Sequence, residues 1–539
     1  MSRTRSFSLV ANPKALPCDE LAIRAHPSVP ACAAARYWVL AVAVLGSTLS
    51  YVDESVVNVA LPAIEADLRT TLPAMQWVIN AYTLCMSALL LIGGAAADRF
   101  GRRRMFVIGA GVFAAGSLGC GLAVSVPMLL GARAVSGIGA ALLVPCSLAL
   151  ISAAFDEKER GAAIGIWSGA AAIAGGAAPL LGGGLLDHFS WRVIFLVNPL
   201  VAIPTLWIAV RRVPESRDPD APPGVDWQGS LLAFAGLGSL VYGLIAAAEL
   251  TWSHPAVIAS LVAGTGLLAV FLVAEAHSRA PMMPLELFRS PTFSGVNLLT
   301  LLLYGGLGGG FFFLPFLLIQ ARGDSATAAG AAYLPFTVVV SLLSRWSGSL
   351  IDRFGARWPL IIGPAIAAGG FALLALSRGP YWTILVPMAV LGLGMAVTIA
   401  PLTTAVLNAV PAHRTGVASG INNAVASVGS LLVIAVLGSV AVGSMSRSLE
   451  LRLESASPAS AEVQRAVGTA RGGFVIPALP ASLSGEEKRQ AHAIIAASIE
   501  DTVRRILWIA AALASMSVLA AAFAIPGKRR AVRAPPPAP

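Results

Sequence analysis

The sequence predicts an all-α integral membrane protein of fourteen transmembrane helices, arranged as two six-helix bundles with two inserted central helices. Three observations carry this. Of the 539 residues, 57% are hydrophobic and only 12% charged, with a mean hydropathy of +0.78; soluble domains carry about 25% charged residues. Apolar runs near the roughly 20 residues that cross a bilayer recur along the whole chain. A loop sequence also occurs twice, as GGAAADRFGRRR at 93–104 and GSLIDRFGAR at 348–357.

The runs lie at 37–61, 74–96, 105–124, 127–154, 161–186, 191–210, 227–248, 256–276, 293–319, 329–351, 358–377, 381–405, 416–443 and 505–525. They are too long and continuous for the alternating strands of a barrel, and helices alone satisfy their backbone in lipid. Helix 1 contains two adjacent carboxylates, Asp53 and Glu54. Helix 2 leads into the first copy of the repeated loop, and helix 4 carries Arg133 near its start. Helix 5 holds the small-residue run GGAAPLLGGG, and helix 6 opens on WRVIFLVNP. Helices 7 and 8 sit between polar segments, helix 10 leads into the second loop copy, and helix 13 begins GVASGINNAV. The division is then a disordered cytoplasmic tail (1–36), a first bundle (37–212) and a linker with two extra helices (213–290). A second bundle (291–526) with a long extracytoplasmic loop (444–504) and a short cytoplasmic tail (527–539) complete it.

Lys and Arg set the orientation. They concentrate in both tails and alternate loops, whereas the short loops between hold only Arg69, Arg192, Arg322 and Arg378. Both termini are therefore expected in the cytoplasm, with the chain in the cytoplasmic membrane. The net charge of +10 follows from this bias and calls for no nucleic-acid partner. Five cysteines form no disulfide or metal framework, and residues 1–36 lack a cleavable signal pattern.

The two loop copies stand eight helices apart, as expected of two six-helix halves separated by an inserted pair. An internal repeat in a polytopic protein points to a transporter whose halves rock about a central site. Here the residues resemble a known family. DESVVNVALP (53–62), WVINAYTL (77–84), GAAADRFGRRR (94–104), LLGARAVSGIGAA (129–141), APLLGG (178–183), WRVIFLVNP (191–199) and GVASGINNAV (416–425) are similar to motifs of major facilitator superfamily exporters. The type is the fourteen-helix drug:H+ antiporter (multidrug efflux family). The likeness covers about 37–526.

It implies that Gly94, Asp98, Arg99, Gly101, Arg102, Arg103 and Arg104 form a cytoplasmic gate latch, echoed by Asp352, Arg353, Gly355 and Arg357. Physically, Gly101 supplies a tight turn and Asp98 can meet a helix N-terminus or an Arg in one conformation only. The plainer reading is that the trailing arginines only fix topology. Pro179, Gly182 and Gly183 match the helix-5 antiporter motif and equally suit close helix packing and a bend. Ala174 and Ala178 stand where the family prefers glycine, and Ser136 replaces a Gln after the helix-4 Arg.

Ionised groups at this depth cost about 2.5–3.5 kcal/mol each on insertion scales and persist only against a cavity, a partner or a proton path. Glu54 lies roughly 10 Å from the outer end of helix 1, and Arg133 roughly 9 Å into helix 4. The three charges share one level. A carboxylate paired with Arg133 has a lowered pKa and an unpaired buried one a raised pKa, so alternating access could load and release a proton. Ser47, Ser50, Glu54 and Asn58 form one helical stripe, so geometry selects Glu54; the family motif's acidic position is Asp53. Both stay open, as does an ion pair that never titrates.

Asn58, Trp77, Tyr82, Tyr304, Gln320, Asn422 and Asn423 are candidate substrate contacts in an amphipathic cavity; interfacial anchoring and helix–helix hydrogen bonds explain them as well. Ser484 and Glu487 have capping-box spacing and predict a helix within the outer loop, over the outer face or extending helix 14. The six histidines show no ligand spacing and no phosphate-binding G-x-x-x-x-G-K-[ST] run exists. A membrane enzyme or non-transporting sensor is therefore disfavoured. The expectation is a monomeric exporter of small amphipathic compounds, driven by the proton gradient without cofactor or metal. The alternative is a facilitator or an exporter of one specific metabolite.

Overall fold

In the computed structural model, fourteen helices are long and apolar enough to cross a membrane among the described residues. The description covers residues 33–218, 226–278, 281–411, 414–455, 460–477 and 479–525, without the side chains at 33, 34, 157, 158, 344, 345, 348, 349, 352, 353, 471 and 472. The first half is α1 (Ala33–Leu68), α2 (Leu72–Phe100), α3 (Arg102–Gly121), α4 (Val126–Ala154), α5 (Glu157–His188) and α6 (Arg192–Arg212). The inserted pair is α7 (Trp227–Leu250) and α8 (Pro255–His277). The second half is α9 (Pro291–Pro315), α10 (two segments, Ala326–Ala331 and Leu334–Phe354), α11 (Arg357–Leu376), α12 (Trp382–Asn408), α13 (Thr415–Ser455) and α14 (Gly485–Ala524).

Prolines in the first turn open α2, α4, α8 and α9, where the missing N–H is one that a helix start leaves unbonded. Pro315 ends α9 in a π-helical turn, Phe316–Ala321. The repeat read from the loops is a repeat of packing. In the first half α3 packs on α4 and α6, α2 on α4, and α1 on α5 and α6; the same pairs recur eight helices on. Gly101 (φ 109°) and Gly355 (φ 72°) make the corresponding turns, both at positive φ where glycine alone is unstrained. The halves meet along two matching seams, α5 with α10 and α2 with α13, and α7 packs against both helices of the second.

The ends differ from the sequence expectation most at α13 and α14, and α1 runs to Leu68, past the expected 61. Residues 444–504 are not a loop throughout: α13 runs on to Ser455 and α14 starts at Gly485. At 1.5 Å per residue these helices of 41 and 40 residues reach about 60 Å, twice the hydrocarbon thickness. Hydropathy registers only the membrane part of such a helix; the rest is polar outside and pairs through Arg452–Asp501 (2.5 Å) and Arg505–Ser444 (2.8 Å). The capping box at Ser484 and Glu487 is present and starts α14. At the other extreme α1 begins at Ala33, four residues into the expected tail; 1–32 and 526–539 lie outside the described residues.

Between α13 and α14, a short helix (Ala461–Gly468) leads to a segment that crosses the molecule's end. Phe474 is buried against Phe313 and Phe316, with ring centroids 5.7 and 5.9 Å away. Its N–H donates to Glu65 Oε1 of α1 (2.8 Å), and Ile476 N–H donates to Gln320 Oε1 (3.1 Å). A segment rooted in the second half thus covers that end and is tied to the first.

Candidate functional site

Successive helix residues differ by about 100° in direction, so Asp53 and Glu54 point to different places. Asp53 turns into the first bundle and is fully buried, as is Arg133. Arg133 Nη1 donates to Asp53 Oδ2 (2.5 Å) and Nε to the Val78 carbonyl (2.9 Å). Asn198 Nδ2, from α6, donates to Asp53 Oδ1 (3.0 Å) and lies 3.2 Å from Ser117 Oγ of α3. The guanidinium stacks 4.4 Å from the Tyr82 ring centroid, a cation–π contact strengthened by desolvation. Removing one partner of such a pair strands the other charge, at about 3–5 kcal/mol. Arg133 Nη2 has no hydrogen-bond partner.

Glu54 is exposed. It shares a stripe with Tyr51 and Asn58, whose amide bonds the Glu54 carbonyl (3.2 Å). This stripe faces α5 and the second half: a Cβ on Gly175 would lie 3.7 Å from Tyr51, and Tyr51 lies within electrostatic reach of Glu54 and of Tyr304 on α9. Glu54 therefore opens on the cleft between the halves, beside a sealed ion pair. Ser136 bonds its own helix at the Ala132 carbonyl (3.1 Å), and its close fit against Gly116 lets α3 and α4 approach.

In the first copy of the repeated loop, Asp98, Arg102 and Arg103 make hydrogen bonds within the first half. Arg102 grips Asp98 with Nε and Nη2 (3.0 and 2.7 Å). Glu215, just beyond α6, accepts the Arg103 and Arg104 backbone N–H groups (3.0 and 3.1 Å) at the start of α3. Arg103 reaches the Val213 carbonyl (3.1 Å), and Arg99 lies 5.5 Å from the Phe100 ring. A Cβ on Gly101 would strike the Glu215 carboxylate, and Gly94 faces Pro145. In the second copy Arg357 donates to the Ala522 carbonyl (2.9 Å). The side chains of Asp352 and Arg353 lie outside the described residues.

At the lidded end the helix-5 motif is the seam. Cβ atoms on Gly183 and Gly176 would collide with Ala326 and Thr337 of α10, and Gly330 abuts the Pro179 carbonyl. Gly182 instead receives Val56 of α1. One turn further, Asp187 accepts the N–H groups of Ala326 (3.0 Å) and Thr327 (2.8 Å) and the Thr327 hydroxyl (2.5 Å).

The other candidates separate. Tyr82 lies inside the first bundle, donating to the Ser50 carbonyl (3.4 Å), and Trp77 packs among Leu237, Val241 and Leu431. Gln320 holds the lid, and Asn422 is bonded to Asn297 and Thr300 (3.1 and 2.8 Å) between α9 and α13. Asn423 is exposed, Asn58 bonds the Glu54 carbonyl, and Tyr304 lies within electrostatic reach of Tyr51 on Glu54's stripe. Sequence reading missed Asn198, Ser117, Glu215, Asp187 and Glu65. Asn198 carried a signal, an amide in the otherwise apolar VIFLVNP; the other four depend on contacts between segments distant in the chain.

The profile of the Major Facilitator Superfamily matches residues 43–434. The chain belongs to this superfamily. It is 36% identical over 416 residues to the multidrug resistance protein Stp of Mycobacterium tuberculosis (strain CDC 1551 / Oshkosh), covering 77% of each chain. It is 34% identical over 412 residues to the tetracenomycin C resistance and export protein of Streptomyces glaucescens, covering 75% of this chain and 76% of that one. Among solved structures, the chain resembles a bacterial homolog of the human lysosomal transporter Spinster, inward-facing and unoccupied. The TM-score is 0.61 at 19% identity, over 91% of this chain and 98% of that one. The inward-open xylose transporter XylE from E. coli gives 0.55 at 14%, over 92% and 98%. At these identities the structures establish the shared fold.

Proposed function

We propose that this superfamily member exports small amphipathic, drug-like compounds across the cytoplasmic membrane in exchange for protons, by alternating access. The observation that carries the reading is the sorting of adjacent carboxylates: Asp53 is sealed against Arg133, and Glu54 opens on the cleft between the halves. A charged group at that depth is retained for function by default. The names of the relatives, as antibiotic resistance and export proteins, support the substrate class.

The basic-residue bias places both termini and the DRFGRRR loop in the cytoplasm. The cleft then opens to the cytoplasm while the lidded end is shut. A compound entering from inside meets Glu54, Tyr51, Asn58 and Tyr304. Rocking of the halves closes that mouth, parts the α5–α10 and α2–α13 seams, and exposes the carboxylate region to the outside, where a proton is taken up. The chain works as a monomer, and the proton gradient supplies the energy with no cofactor.

In everted vesicles with an imposed pH gradient, adding a transported compound should collapse the gradient. Asp53→Asn combined with Glu54→Gln should abolish that response while the protein stays folded by size-exclusion chromatography. A response equal to wild type in the double variant overturns the proposal.

A further inference from the structure

Both Asp53 oxygens face donors: Arg133 Nη1 at Oδ2 and Asn198 Nδ2 at Oδ1. Asp53, Arg133 and Ser117 are fully buried and Asn198 is 3% exposed, so no bulk solvent relaxes the arrangement. It suits an ionised carboxylate. A proton added to either oxygen would be set against an N–H, and a buried donor left without an acceptor is costly.

Of the two groups that donate to Asp53, only Asn198 can reverse its polarity without changing its own charge. A guanidinium only donates, whereas a carboxamide presents NH2 or C=O according to a half-turn of its terminal torsion. Ser117 can follow. Its hydroxyl accepts from Asn198 Nδ2 now, and after the turn it can donate to Asn198 Oδ1. The other titratable or charged groups around Asp53 are Tyr82 on α2, Cys120 on α3, Arg133 on α4 and Glu54 beside it on α1. Tyr82 is turned to the Ser50 carbonyl and Cys120 to Ser136. The face of α5 against α1 offers glycines, Gly175 and Gly182.

We propose that Asn198, with Ser117, is a positioning residue that lets buried Asp53 alternate between ionised and protonated forms. Its amide nitrogen serves the ionised form, and its amide oxygen receives the new O–H. The step adds one proton to Oδ1, breaks no covalent bond and leaves Arg133 charged. This rests on the reading of the carboxylate pair as the proton site.

The test is the acid-minus-neutral infrared difference spectrum of the full chain in liposomes, with the pH profile of transport. Wild type should show a protonated-carboxyl C=O band that is lost in Asp53→Asn. In Asn198→Leu the band should move to higher frequency, because the O–H has lost its acceptor. The ionised form loses the stronger, charge-assisted bond, so the transport profile should move to higher pH by about one unit, a tenfold change in proton affinity, with the substrate KM unchanged. Asn198→Ser, which keeps a group able to donate and accept, should lie between, and Ser117→Ala should move the band less. If the Asp53 band is present but identical in Asn198→Leu and wild type, the inference is overturned while the proton site stands. If the wild type has no Asp53 band at any pH, the inference falls as well. The vesicle response of the Asp53/Glu54 double variant then tells whether the proton-site reading falls with it. A loss of yield in Asn198→Leu leaves Asn198→Ser and Ser117→Ala to decide by the same band.

Discussion

One face of α5 tells two stories along its length. Toward the lid, Gly176, Pro179, Gly183 and Asp187 are pressed against α10, so closely that added Cβ atoms at the glycines would collide. Toward the opposite end, Gly161, Gly165 and Gly169 would meet nothing within 4 Å. The same small-residue stripe is a seam at one end and a wall of the cleft at the other. The difference shows what holds each end. The closed end depends on close backbone approach and on carboxylates of the first half, Asp187 and Glu65, accepting N–H groups of the second. At the open end Asp98 pairs with Arg102 and Glu215 caps the start of α3, both contacts made within the first half.

The contrast can be broken from the closed side first. Phe474→Ala should cost the lid about 3–5 kcal/mol of packing, seen as faster hydrogen exchange across 473–476 and a lower thermal midpoint. Unchanged exchange there would mean that the aromatic cluster does not hold the lid. Gly183→Val overpacks the seam by about 1–3 kcal/mol. Spin labels at Phe189→Cys and Arg378→Cys, both exposed near that end, should report longer distances, with transport reduced. Asp187→Asn retains the shape but loses the charge at the first turn of α10, and should lengthen the same distances less, in line with about 0.5–2 kcal/mol for a cap. Gly165→Ala on the open stretch should change neither distance nor folding. Equal effects at Gly165 and Gly183 would erase the distinction between the ends.

Much of the architecture was legible in the chain because lipid leaves few options. The apolar runs became helices, the repeated DRFG loops became equivalent turns with glycine at positive φ, and Ser484 capped α14 as its spacing with Glu487 predicts. Arg133 and the carboxylates shared a level because axial position follows directly from residue count. The extension of α13 to Ser455 escaped notice because hydropathy measures contact with lipid, whereas the far end of α14 was signalled by its capping box. Trp77, Tyr82, Gln320 and Asn422 looked like cavity residues because a polar or aromatic group in a span has the same sequence signature whether it packs between helices or meets a ligand.

The amino-acid order alone thus determined the number of spans, the twofold plan and the common level of Arg133 and the carboxylates, since each depends on distance along one chain. Which of Asp53 and Glu54 is sealed was settled only by packing, because a rotation of about 100° between neighbours selects either a partner helix or the cleft. The same holds for Asn198 beside Asp53, Glu215 at α3, Glu65 under the lid and Asp187 at the start of α10. Their partners lie across the bundle, and only the assembled helices bring them within hydrogen-bonding distance.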